Sequence, residues 1–292
     1  MTPRVAAWRG FGRPEAVGGH RLHVHERPGD GPLHVFLHGF PSSSFDWRGV
    51  LDRLPGRRAL AFDFLGFGLS DKPREHVYTL AWQADAVEEL VRRAGAPPVV
   101  LVAHDMGTSV ATELLARDVE GRLSIDVGAV LLFNGSILLD RATLTPGQRL
   151  LRSPAGPLAA RLTTARSFRL QFARLFSPAH PLSREEAADQ WALLREHDGH
   201  RLLHRTIHYL GERERLADRW HGAVRDWPGP LSFAWGLRDP VATTRVLDGL
   251  RELRPLAPVR ELPELGHYPQ IEDPSAIAAE VEQVTRRAPD RP

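Results

Sequence analysis

The stretch Val99-Val100-Leu101-Val102-Ala103-His104-Asp105-Met106-Gly107 decides how the rest of the chain is read. Its apolar, β-branched first half reads as a buried strand. A helix-like stretch follows, from Thr108 to Arg117. Between them Asp105 stands at the apex of a small-x-Asp-x-small turn framed by Ala103 and Gly107. A nucleophile elbow has this strand–turn–helix context, usually with serine at the apex. A serine hydroxyl must lose its proton before it attacks, whereas a carboxylate with an ordinary pKa of about 4 is already ionised at neutral pH. Its natural targets are saturated carbons carrying a leaving oxygen or halogen. Attack there gives an alkyl ester that water can cleave, whereas attack on an acyl group would give an anhydride.

Working outward, two further elements follow in order. Leu231 to Ala234 is an apolar run leading into Trp235-Gly236-Leu237-Arg238-Asp239-Pro240, and Leu265-Gly266-His267-Tyr268-Pro269 comes after the next run. Nucleophile, acid, histidine is the chain order expected of a triad on an alternating α/β scaffold. Upstream, His34-Val35-Phe36-Leu37 reads as a strand running into His38-Gly39-Phe40-Pro41. A loop in that position donates a backbone N–H to an oxyanion hole, and the donors here would be Phe40 and Met106.

With these residues in view, the chain resembles the α/β-hydrolase superfamily over essentially its whole length. Within it, the chain is similar to the Asp-nucleophile branch of epoxide hydrolases and haloalkane dehalogenases. A closer resemblance is to the mesoderm-specific transcript-like hydrolases. Besides the elbow, Phe62-Asp63-Phe64-Leu65-Gly66-Phe67-Gly68-Leu69-Ser70-Asp71-Lys72-Pro73, Asn134-Gly135-Ser136-Ile137 and Gly266-His267-Tyr268-Pro269-Gln270-Ile271-Glu272-Asp273-Pro274 carry it. The resemblance implies an α/β fold with a mostly parallel twisted sheet flanked by helices and an inserted helical cap. The core would comprise residues 1–134 and 223–292, and the cap residues 135–222.

The alternation of strand-like and helix-like stretches leads to the same fold class. Expected strands are His20–His25, Leu33–Leu37, Arg58–Phe62, Val99–Ala103, Gly128–Phe133, Leu231–Ala234 and Val259–Leu262. Expected helices include Phe45–Leu54, Leu80–Ala94, Met106–Arg117 and Ser275–Arg286. The alternation breaks from Asn134 to about His221, where helical stretches are punctuated by Pro146, Pro154, Pro157, Pro178 and Pro181. The tail Ala288–Pro292 is expected to fray.

Composition bounds the function. A length of 292 residues and 42% hydrophobic content support one α/β core with an insertion. A formal charge of +2 gives no suggestion of nucleic-acid binding. Lys72 is the sole lysine, an arginine bias that fits a GC-rich genome better than a phosphate-binding role. With no cysteine, disulfides and thiolate chemistry are excluded. No signal-peptide-like segment and no apolar run long enough to span a membrane is seen, so a cytoplasmic enzyme is expected, as monomer or homodimer. No metal and no cofactor is expected.

Asp105 is the nucleophile, His267 the base that activates water, and Asp239 the acid that orients it. The competing acid position, at the end of the preceding core strand, holds Asn134, which carries no charge. Relatives that release halide use side-chain N–H donors beside the nucleophile and in the oxyanion loop. Met106 and Phe40 offer none, although Trp191, Trp220 or Trp235 could donate from elsewhere. An epoxide hydrolase needs a ring-opening acid, usually a cap tyrosine and often a pair. Tyr209 is the sole tyrosine in the expected cap, with His204 or His208 as substitutes. His38, His104, Trp235 and His208 are expected to bind substrate. His200, His204 and His208 fall at i, i+4, i+8 on an expected cap helix and read as a polar face rather than a metal site. Phe168, Phe172, Phe176, Trp191 and Trp220 read mainly as packing, some lining an apolar pocket. The reading is epoxide hydrolysis to a diol through an ester on Asp105, with a small hydrophobic substrate and water as partners. The rivals are a haloalkane or haloacid dehalogenase, an ester or lactone hydrolase, and a ligand-binding homologue without catalysis.

Overall fold

The computed structural model describes residues 1–95 and 97–288. The expected tail therefore falls, from Pro289 on, outside the described residues. The chain opens on α1 (Pro3–Phe11), β1 (Arg13–Val17), β2 (His20–Arg27) and β3 (Asp30–Leu37), then α2 (Arg48–Asp52), β4 (Arg57–Phe62) and α3 (Leu80–Arg93). The elbow segment becomes β5 (Val99–His104) and α4 (Met106–Val119), followed by β6 (Val127–Phe133). Helices alone then connect β6 to the next strand: α5 (Pro146–Arg152), α6 (Gly156–Arg161), α7 (Ala165–Ala173), α8 (Arg184–Arg195), α9 (Leu203–Thr206), α10 (Tyr209–Arg215) and α11 (Ala217–Asp226). The chain returns through β7 (Leu231–Gly236), α12 (Thr244–Leu253), β8 (Val259–Leu262), α13 (Pro269–Glu272) and α14 (Pro274–Thr285).

The eight strands form one sheet in the order β1-β2-β4-β3-β5-β6-β7-β8. β2 runs antiparallel to β1 and β4, and every later pairing is parallel. Parallel strands are covered on both faces, so alternate residues feed two cores. Val35, Leu37, Leu101 and Ala103 pack on one side; Phe36, Val100 and Val102 pack on the other, with α2 and α14. The carboxyl ends of β3, β5, β6 and β7 consequently share one edge, where a ligand crevice forms in such sheets.

Three local expectations are corrected. Phe45–Leu54 is not one helix: a 3₁₀ turn, Ser44–Trp47, precedes α2. His200, His204 and His208 do not share a helix. A 3₁₀ segment with left-handed kinks at His197 and Asp198 runs to Leu202, and α9 ends at Thr206. The i, i+4, i+8 ladder therefore does not exist. Finally, α1 had no counterpart among the expected elements. Thr2 caps it, and it buries Val5 and Trp8 in a small cluster with Phe45 and with Leu193 of α8. Arg4 pairs there with Glu186 (2.9 Å) and Asp189 (3.1 Å).

Beside this cluster Asp46 is 1% exposed, and one of its carboxylate oxygens accepts from Gln190 Nε2 of α8 (2.7 Å). The other oxygen has no partner. Burial pushes the Asp46 carboxyl up to about 7. An acid whose folded pKa is raised contributes stability that is full below its unfolded value and lost as pH rises toward the folded one. Asp46→Asn should therefore gain on the parent by about 1.4 kcal/mol per pH unit between roughly pH 4 and 7 and then level off. Thermal melts of both proteins across that range check it; parallel curves would refute it.

Candidate functional site

β5 delivers Asp105 to the edge of the sheet, and the helix starting at Met106 turns the chain away. The turn places Asp105 at φ 45°, ψ −110°. That left-handed backbone is costly for a residue with a Cβ and persists only where its surroundings hold it. Two glycines leave the room. A Cβ on Gly107 would stand 2.3 Å from the Leu37 carbonyl oxygen, and one on Gly39 would stand 2.8 Å from the Asp105 Cβ. The Asp105 carbonyl accepts from Thr108 N (3.1 Å), Thr108 Oγ1 (2.6 Å) and Arg213 Nη2 (2.9 Å).

Asp105 is 2% exposed. Its Oδ2 accepts from the Phe40 N–H at 2.9 Å. Met106 opens α4, so its N–H is one of the unbonded donors at a helix start. Oδ1 lies 3.8 Å from Arg213 Nη2. Arg213, on α10, is 1% exposed, and its Nε donates to Ser109 Oγ (2.7 Å). Tyr209, also on α10, is buried, and its hydroxyl has no hydrogen-bond partner. The Arg213 guanidinium lies 4.7 Å from the Tyr209 ring centroid. Burial, reinforced by the charge on Asp105, pushes the Tyr209 hydroxyl above the usual tyrosine range, and the Arg213 charge opposes this.

His267 Nδ1 donates to Asp239 Oδ2 at 2.7 Å, which leaves Nε2 for a water or substrate proton. The rest of the Asp239 carboxylate is also occupied. Oδ2 accepts from Asn134 Nδ2 (2.8 Å), and Oδ1 from Val241 N (2.7 Å) and Ala242 N (3.0 Å). Asn134 is thus a partner of the acid, not merely an uncharged occupant of its rival position. Burial disfavours the His267 cation, but the Asp239 charge and hydrogen bond, helped by Asp105, outweigh it and hold the imidazole above its ordinary pKa. Glu272 fixes the histidine loop, accepting from Gly266 N (2.9 Å), Tyr268 N (3.3 Å) and Ser177 N (3.1 Å).

The four residues expected to bind substrate are placed differently. His38 Nδ1 donates to Gly39 O (2.9 Å), and Nε2 accepts from Phe64 N (2.9 Å). It is a neutral strut inside the loop that follows β3, its pKa lowered to about 4 by burial. His104 bridges His267 O (2.6 Å) and Gln270 Nε2 (3.1 Å). Trp235 is fully buried and donates to Ala242 O (2.8 Å). All three spend their ring nitrogens on the scaffold, and His208 is exposed. Phe168, Phe172, Phe176 and Trp191 do form one aromatic group, with Phe172 and Phe176 ring centroids 4.9 and 5.4 Å from that of Tyr268. Trp220 is packing, its N–H held by Glu113 (2.9 Å). Among the described residues no group of three or more His, Cys, Asp or Glu could hold a metal.

Comparison with known proteins adds four findings. Residues 35–280 match the Alpha/beta hydrolase family. LipZ of Mycobacterium tuberculosis (strain ATCC 25618 / H37Rv), whose name calls it a hydrolase only provisionally, is 58% identical over 279 residues, covering 95% of this chain and 96% of LipZ. The human mesoderm-specific transcript homolog protein is 34% identical over 288 residues, 94% of this chain and 85% of its own. Among solved structures, the haloalkane dehalogenase DatA from Agrobacterium tumefaciens C58 superposes with a TM-score of 0.79 at 22% identity, over 95% of this chain and 97% of DatA, a likeness of fold.

The close approach at the elbow has a direct test. Gly107→Ala sets a methyl against backbone that cannot move aside, so it should cost about 1–3 kcal/mol. A lowered denaturation midpoint with unchanged slope is expected; an unchanged midpoint would refute the packing described.

Proposed function

Because the chain belongs to the alpha/beta hydrolase family, we propose that it hydrolyses an epoxide to a diol through an ester on Asp105. The observation that carries this reading is the donor set on the Asp105 carboxylate. A serine elbow would direct its oxyanion donors at the substrate carbonyl. Here the Phe40 N–H already holds Oδ2 of the nucleophile itself. That arrangement suits a reaction in which the tetrahedral carbon is Cγ of Asp105.

In the first step Oδ1 attacks a ring carbon. The new C–O ester bond forms as the ring C–O bond breaks, and the ring oxygen takes the Tyr209 hydroxyl proton. Arg213 stabilises the phenolate left behind, the part a second tyrosine would otherwise share. In the second step His267 Nε2 takes a proton from water, and the hydroxide adds to Cγ of Asp105. The oxyanion on Oδ2 is held by the N–H groups of Phe40 and Met106. Collapse breaks the ester bond between Cγ and the substrate oxygen; the leaving alkoxide takes the proton of the added hydroxyl, which releases the diol and restores the carboxylate, and the histidine proton passes by way of solvent to the Tyr209 phenolate. Asp239 orients the imidazole and favours its cation throughout. Residues 135–222 serve as the cap that brings Tyr209 and Arg213 over the nucleophile. Halide release is a weaker reading because the N–H groups of Trp220 and Trp235 are already bonded within the protein.

His267→Gln should block the second step alone. Intact-mass spectrometry of this variant with a panel of aryl and aliphatic epoxides and haloalkanes should show an adduct equal to a whole epoxide, absent from the Asp105→Asn control. An alkyl adduct formed with loss of halide would transfer the assignment to dehalogenation, and a folded protein without any adduct would reject the mechanism. The pH profile supplies a second test. His267 acts as a neutral base and its folded pKa is raised, so turnover should fall on the acid side with a midpoint above the ordinary histidine value of about 6.5. Asp239→Asn should lower that midpoint and reduce hydrolysis of the ester by about 10²–10⁴-fold. A midpoint unaffected by Asp239→Asn would count against the assigned base.

A further inference from the structure

The whole-chain charge conceals an unequal distribution. Residues 141–184 contain eight arginines and no aspartate or glutamate, so with +2 for the whole chain the remainder carries a net −6. Two of these arginines are paired, Arg141 with Glu252 and Arg152 with Glu214. Arg149, Arg161, Arg166, Arg169 and Arg174 are exposed, and their side chains make no hydrogen bond or ion pair with any described residue. Elsewhere on this molecule exposed arginines are commonly held by carboxylates, as Arg92 and Arg93 are by Glu89.

Leucines are interleaved with these free cations. Leu150, Leu158, Leu162 and Leu170 are 49–66% exposed and make up four of the nine exposed large apolar side chains among the described residues. Three of them directly adjoin a free arginine: Arg149-Leu150, Arg161-Leu162 and Arg169-Leu170. They lie on three consecutive helices, except Leu162, which caps the end of α6. α5 and α7 are in contact, since a Cβ on Gly147 would meet Gln171 Oε1 at 2.2 Å. α7 shows the pattern most clearly. Phe168 and Phe172 are buried on one side, and Phe172 reaches the Tyr268 ring. Arg166, Arg169, Leu170 and Ala173 are exposed on the other, at helical spacing.

We propose that the outer face of α5, α6 and α7 docks on the surface of an anionic lipid bilayer. Arginine stems can lie along the interface with their heads on lipid phosphates, while the leucines between them enter the acyl boundary. Two other partners fit less well. A single-stranded nucleic acid would be gripped through stacking on aromatic rings, and the aromatic rings of α7 are turned inward. A second copy of this chain would set one basic face against another across a two-fold contact. No helix among the described residues is long and apolar enough to cross a membrane, and docking of this kind requires none. It would set the wall one helix thick over Tyr268 and His267 against the phase in which a water-insoluble substrate is dissolved.

The test uses the full-length protein with sedimented vesicles of phosphatidylcholine alone and of phosphatidylcholine mixed with phosphatidylglycerol. Binding is expected on the anionic vesicles at low salt, reduced at high salt and absent on neutral ones. The triple variant Arg161→Gln, Arg166→Gln, Arg169→Gln should bind about a hundredfold more weakly, roughly fivefold for each charge. The pair Leu158→Ser, Leu162→Ser should weaken binding at low salt with the net charge unchanged. All five positions are exposed, so unaltered melting temperatures are expected and separate loss of docking from loss of fold. No binding to anionic vesicles, or equal binding by the arginine variant, overturns the proposal. Binding of single-stranded DNA by a protein that does not bind anionic vesicles, or a dimer in solution abolished by the leucine pair, overturns it in favour of nucleic acid or of a second copy.

Discussion

The left-handed backbone at Asp105 is the constraint on which the rest of the site depends. It turns a fully buried strand into a helix within one residue and aims a carboxylate out of the sheet edge. The surroundings must hold that conformation, and they do so with backbone. Leu37 and Gly39 approach so closely that only glycine fits at 107 and 39. The Phe40 amide binds the side chain, and three donors converge on the Asp105 carbonyl. Placement of the Gly39–Phe40 turn is therefore part of the same packing problem as placement of Asp105. β3 and β5 pair in register from Leu33 with Val99 to Leu37 with Ala103, and this brings both turns to the same height.

Electrostatics around this turn are arranged in two halves. On one side the Asp239–His267 pair is saturated: the carboxylate has four donors, and its imidazole partner is held as a ready proton acceptor. On the other side Arg213 is a buried cation without a carboxylate at hydrogen-bond distance, and the Tyr209 hydroxyl beside it has no partner at all. Unsatisfied buried donors are expensive in a folded protein and are concentrated where a ligand completes them. The satisfied half and the unsatisfied half flank the same Asp105 carboxylate.

Much of this was legible in the sequence, for identifiable reasons. The strand cores at Val35, Leu101, Leu131 and Phe233 could be read because burial on both faces demands continuous apolar runs. The elbow and the order Asp105, Asp239, His267 could be read because each follows the end of a strand. Arg213 could not. It is one of many arginines and carries no local signature; its meaning comes from α10 being folded back over α4. His38, His104 and Trp235 were read as facing substrate from their nearness to the motifs, but nearness in sequence does not say which way a ring nitrogen points. α1 was missed because its nine residues carry little apolar periodicity and are fixed by contacts with α8, nearly 190 residues away. The ladder at His200, His204 and His208 failed because His200 lies in a 3₁₀ segment that ends at Leu202, His204 on the single turn α9, and His208 beyond it, before α10 begins.

Glu272 ties together Gly266, Tyr268 and Ser177, and the His267 amide donates to Leu175 O at 2.8 Å. Ser177 and Leu175 belong to the helical insertion, whereas Gly266 to Tyr268 lie in the loop that leads from β8 to α13. His267 and this corner of the insertion are mechanically one piece. The insertion cannot lift here without pulling on the main chain of His267. An interlock of this kind confines entry and exit of small molecules to other sides of the insertion. Under the mechanism proposed above, it would also keep His267 and Asp239 assembled through every turnover, so that a covalent intermediate would never wait for its base to be rebuilt.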